Sequence, residues 1–130
     1  MATQRIMFIF LQRPQQESTL DEDIAWICKA FGFAEDEHDL ATFIFKSIIH
    51  SSKNGEGITS KDIADQTHVT QAAIIYHLNS FIRTGLVVKA GRLYKLRAPS
   101  LDESFEELEI DLTNRISKMR NVAQRIDEQV

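Results

Sequence analysis

Residues 58–96 read ITSKDIADQTHVTQAAIIYHLNSFIRTGLVVKAGRLYKL, and the order of signals in this stretch decides the fold. Ile58 leads into Thr59 or Ser60 as a cap and a short helix to about Gln66, because either hydroxyl can accept from the free N–H groups at a helix start. The tetrapeptide Thr67-His68-Val69-Thr70 separates it from a helix spanning Gln71 to about Thr84, which Gly85 terminates by admitting a left-handed exit. From Leu86 to Arg97 the period changes. Two β-rich runs flank Ala90-Gly91 and predict a tight hairpin. Ile63 and Ala64 give the short helix an apolar, close-approach face. Val69, Ile74, Leu78, Phe81 and Leu86 form a core stripe that sets the angle between the two helices.

Helix, short helix, four-residue turn, helix and hairpin follow one another in the order of a winged helix-turn-helix. The stretch resembles prokaryotic winged-helix transcriptional regulators, most closely the ArsR-like group, with MarR-like and other archaeal winged-helix regulators next. The resemblance covers residues 40–97 and is carried by DIADQTHVTQAAIIYHLNSFIRTGLV and the hairpin after it. It implies a mainly α fold with a small β-hairpin wing, an N-terminal helix and a long C-terminal dimerisation helix. It also implies that the second helix of the pair enters the major groove of double-stranded DNA while the wing reaches the flanking backbone.

On the side of that helix away from its core stripe sit Gln71, Ala72, Ile75, Tyr76, Asn79 and Arg83. Gln and Asn amides pair bidentately with adenine, and Tyr76 and Ile75 suit thymine methyls or the sugar backbone. Thr70 caps the helix, whose free N–H groups and dipole favour a phosphate. His77, at the edge of the core stripe, is divided between packing and a phosphate contact. In the wing, Lys89 and Arg92 flank the turn and Lys95 follows. Such charges grip phosphates, adding affinity and salt dependence without sequence reading.

Outward from the centre, Asp21–Phe31 reads as a helix with Thr19 as N-cap, Glu22 three residues later and Gly32 after its end. Its apolar positions are Leu20, Ile24, Ile27 and Phe31. A second helix, about Asp39 to Ser51, places Leu40, Phe43, Ile44, Ser47 and Ile48 on one side, and Lys53–Gly57 breaks it. Ile6–Leu11 reads either as a short strand or as a helix start, ended by Pro14.

Ser100 caps a final helix whose apolar positions Leu101, Phe105, Leu108, Leu112, Ile116, Met119, Ala123, Ile126 and Val130 form a near-heptad seam with one stutter. About 30 residues of helix is roughly 45 Å, longer than the central module can cover. Part of the seam is therefore expected to pack against another chain, giving a homodimer. The expected organisation is an N-terminal helical extension over 1–37, the winged module over 38–98 and the dimerisation helix over 99–130.

Five Gly and two Pro in 130 residues leave few breakers, which favours long helices. The net charge of −4 hides a segregation. Residues 17–39 carry eight acids and one base, a local −7, and residues 99–130 carry eight acids and four bases, a local −4. Residues 58–98 carry six bases and two acids, a local +4, so a polyanion is expected to bind the middle. The acidic N-terminal face is held away from DNA or is read by a partner protein.

The longest apolar run, Ile6–Leu11, is too short for a spanning helix or a secretory leader, so neither a membrane partner nor export is expected. The single cysteine, Cys28, lies among apolar residues, as suits a reducing cytoplasm. One Cys and the scattered His38, His50, His68 and His77 make no metal-ligand spacing. No glycine-rich phosphate loop or nucleophile motif occurs, so neither a cofactor nor an enzyme is expected. The expectation is a cytoplasmic, nucleoid-associated DNA-binding regulator; the alternative is a non-catalytic winged-helix adaptor in a transcription or chromosome-associated assembly.

Overall fold

The computed structural model describes residues 17–35 and 38–130, so the reading of Ile6–Leu11 lies outside the described residues. Within them the chain is mainly helical with one small antiparallel sheet. In order come α1 (Leu20–Ala30), α2 (Leu40–Ser52), β1 (Ile58–Thr59), α3 (Ser60–Thr67), α4 (Gln71–Thr84), β2 (Val87–Ala90), β3 (Leu93–Leu96) and α5 (Leu101–Gln129).

Side-chain caps set four of these starts. Thr19 Oγ1 accepts from Glu22 N at 3.1 Å while Glu22 Oε1 accepts from Thr19 N at 2.9 Å, a complete capping box for α1. Thr59 Oγ1 accepts from Asp62 N, Thr70 Oγ1 from Ala73 N and Ser100 Oγ from Glu103 N, opening α3, α4 and α5. The choice between Thr59 and Ser60 therefore falls to Thr59; Ser60 is already helical and buried. α3 ends on His68, whose φ of 57° makes it the one described non-glycine residue in the left-handed region. Its N–H donates to Ala64 O, so the turn into α4 begins without a gap in hydrogen bonding.

The sheet has the order β1-β3-β2, with Ile58 opposite Tyr94 and Val87 opposite Leu96. The strand Ile58–Thr59 was not expected from sequence, since two residues show no periodicity. The hairpin turn also moves by one residue. Ala90 pairs with Leu93, so the loop is Gly91-Arg92 rather than Ala90-Gly91. Gly91, at φ +62°, takes the first central position, which a two-residue loop of this kind reserves for a residue free to reach positive φ. β1 begins only at Ile58, opposite Tyr94, and leaves Leu96 N without a strand partner on that side. Ser52 Oγ supplies one at 2.9 Å while donating to Ile48 O, and so ties the end of α2 to the central strand.

One continuous core joins Ile24 and Cys28 of α1, Ile44, Phe45 and Ile48 of α2, Ile63 of α3, Ile74, Leu78 and Phe81 of α4, the sheet, and Leu108 of α5. It spans both boundaries expected at 37/38 and 98/99. Phe45 stacks on Phe81 at 4.9 Å between centroids, Phe33 meets Phe81 edge-on at 5.3 Å, and Phe31 stacks on Phe105 of α5 at 6.3 Å. Burial pushes the Cys28 thiol up to about 12, as a small core group with no charged partner to stabilise its thiolate.

Three apolar assignments change. α2 buries Ala41, Ile44, Phe45 and Ile48 and exposes Phe43, which shares its side of the helix with Lys46, Ser47 and His50. Leu20 is exposed at the start of α1. In α5 the positions Leu101, Phe105, Leu108 and Leu112, expected in a seam between chains, pack instead on the chain's own core. From residue 113 onward every side chain of α5 is exposed. Among the described residues, no helix is long and apolar enough to cross a membrane.

Candidate nucleic-acid interface

The site is built on α4. Its buried side, Ile74, Leu78 and Phe81, locks the helix onto α2 and the sheet. Ala72, Tyr76, Asn79 and Arg83 step by four, three and four residues along the opposite side, and all four are exposed. Tyr76 stands out at 66% exposure, its ring edge-on to His77 at 5.5 Å. A large aromatic left in water on a helix anchored so firmly is the most conspicuous feature of the face.

Gln71 and Ile75 leave this stripe. They sit on the flank of α4 beside Leu78 and Ile82, and Gln71 Nε2 donates to Ser60 Oγ at 2.9 Å. Gln71 thus bridges α3 to α4 while it remains exposed, as expected. Ser60 is the partner that sequence reading missed, because its distance of eleven residues matches no local motif. Half-buried His77 has its pKa pushed below the ordinary value by desolvation, so its neutral form is favoured. Arg83 Nη2 donates to Ser80 Oγ at 3.1 Å, which steadies the guanidinium at the end of the stripe.

The hairpin presents its bases on different faces. Lys89 is opposite Tyr94 and shares its face, with Lys89 Nζ 5.5 Å from the ring centroid in a cation–π arrangement. Lys95 is opposite Val88 on the other face, beside exposed Leu93, and Arg92 occupies the turn. The three charges therefore ring the tip of the hairpin instead of lining one side.

Two of the six bases in the positive middle are already engaged. Lys61 pairs with Asp65 at 3.3 Å. Arg97, only 22% exposed, bonds Glu107 Oε1 through Nε at 2.9 Å and Asp111 Oδ2 through Nη1 at 2.7 Å. Its bond to Asp111 raises its already high pKa, so it is a fixed cation that clamps α5 to the end of β3. Arg83, Lys89, Arg92 and Lys95 form no ion pair with any described residue. The acidic α1 gives one carboxylate to Lys46 of α2 at 2.6 Å and none to the hairpin.

Among the described residues, no three His, Cys, Asp or Glu side chains converge as a metal would require. No protein-family model, curated protein or solved structure matches the chain.

Proposed function

We propose that the chain is a winged helix-turn-helix protein that binds double-stranded DNA as a homodimer and regulates transcription in the cytoplasm, at the nucleoid. The observation that carries this reading is the exposed stripe Ala72, Tyr76, Asn79 and Arg83 on a helix anchored from behind, beside a hairpin whose bases form no ion pair with any described residue. A helix with its side chains fits the major groove, about 12 Å wide. Asn79 offers a bidentate amide to adenine, and Tyr76 offers its ring to thymine methyls or to the sugar. Arg83 and the N-terminal turn at Thr70 take phosphates on either side of the groove, and Lys89, Arg92 and Lys95 extend the grip to the flanking backbone.

Fluorescence anisotropy of labelled duplex over a salt series tests the reading. Binding of a random duplex should weaken steeply as salt rises, because each neutralised phosphate releases counterions. Lys89→Glu with Arg92→Glu should abolish retention on duplex resin. A salt-independent response, or retention unchanged in the double variant, overturns it.

The net charge of −4 and the exposed acids of α1 favour a second reading, a non-catalytic adaptor that docks a protein partner through its acidic N-terminal face. Under it the same double variant leaves partner capture unaffected, and charge reversal at Asp21 and Glu22 removes it.

A further inference from the structure

The apolar stripe of α5 does not stop where the core stops. Leu108 is buried, and Leu101, Phe105 and Leu112 pack against the core. The same side of the helix then continues into water, with Ile116 54%, Met119 60% and Ile126 56% exposed. Residues 113–130 stand free of the rest of the described chain for about 27 Å of helix. An isolated helix of that length is marginal in water, and a stripe of large apolar side chains makes a solitary one costlier still.

We propose that residues 113–130 pair antiparallel with the same segment of a second copy of this chain, Ile116 meeting Ile126 of the partner subunit and Met119 meeting Ala123 of the partner subunit. This deepens the dimeric part of the function proposed above and is independent of DNA.

Two observations select this arrangement. The first is space. Over residues 101–112 the stripe is covered by the chain's own core, so a partner helix lying on the free half can advance no further than Leu112. A parallel partner would bring its own residues 101–112, with the module attached to them, into that occupied side. An antiparallel partner ends there, and its module lies beyond Val130.

The second is register. Leu112, Ile116, Met119, Ala123, Ile126 and Val130 alternate steps of four and three, the seam of a two-stranded supercoil. An antiparallel pair centred on residue 121 sets the largest knob, Met119, against the smallest, Ala123. It also brings Val122, 45% exposed at the seam's edge, beside its own copy.

The test uses the full chain without DNA. Multi-angle light scattering at micromolar concentration should give the dimer mass, and Ile116→Asp with Ile126→Asp should weaken self-association about 30-fold or more. Both positions lie outside the core, and an unchanged far-UV spectrum of the diluted protein verifies the fold. For orientation, chains carrying Ile116→Cys are mixed with chains carrying Ile126→Cys under mild oxidation. The mixture should form a disulfide dimer that neither variant forms alone; buried Cys28 contributes no background. A monomer mass for the unaltered chain, or a dimer untouched by the two aspartates, overturns the pairing and leaves the anisotropy test to judge DNA binding. Self-crosslinking of Ile116→Cys overturns the antiparallel order while a dimer stands.

Discussion

The two halves of α5 are one unbroken helix with one apolar stripe, yet they live in different solvents. Residues 101–112 lie against the core, with Arg97 clamped between Glu107 and Asp111, whereas residues 113–130 carry equally apolar positions into water. The comparison teaches that a stripe's periodicity says which side is meant to be covered, and the extent of the rest of the molecule says what covers it.

The largest effect expected from breaking this comparison is in the docked half. Leu108→Ala should lower unfolding stability by about 2–4 kcal/mol, since a buried leucine loses both its transfer free energy and its packing. Ile116→Ala, made in a chain already carrying Ile126→Asp so that no pairing contributes, should change it by less than about 0.5 kcal/mol. Urea midpoints measure both, and equal losses would erase the distinction between the halves.

Arg97→Leu comes next, at about 1–2 kcal/mol, because it removes two charge-assisted bonds from a largely buried side chain. Faster amide exchange over residues 101–112, out of proportion to residues 20–52, would locate the loss at the docking of α5. Ser100→Ala should cost about 1 kcal/mol by removing the cap that starts the helix. Thermal melts check it, and Ser100→Asp should restore most of the loss.

The smallest effect separates core from seam by pH. The pKa of His77 is depressed in the folded chain, so the unfolded chain takes up its proton first on acidification. Stability from this group is present above about 6.5, the ordinary value, and falls as pH drops through it towards the folded value. His77→Gln should flatten that part of the melting profile and leave the light-scattering mass unchanged.

Several elements were legible because their signals are local. The hydroxyls of Thr19, Thr70 and Ser100 each bond a backbone N–H three residues on, a pattern visible as a short motif. The stripe Ile74, Leu78 and Phe81 was equally plain, since α4 is polar on its other side. The face of α2 was less plain, because Phe43 is as apolar as Phe45 yet shares its side with Lys46, Ser47 and His50. In the candidate interface, Tyr76 and Asn79 were readable from spacing. The diversion of Gln71 to Ser60 and the setting of Lys89 over Tyr94 depend on distant residues that meet only after folding.

Taken alone, then, the order of residues determines where helices begin and end and which side of each is apolar, because capping and periodicity act within a few residues. Which charges stay available and which apolar side chains stay wet was decided by tertiary structure. Arg97 is a base like Arg92 until α5 docks and offers it two carboxylates, and Ile116 is a seam residue like Leu112 until the surface beneath the helix runs out. Burial and charge pairing depend on what lies across the gap, and a linear pattern does not contain that.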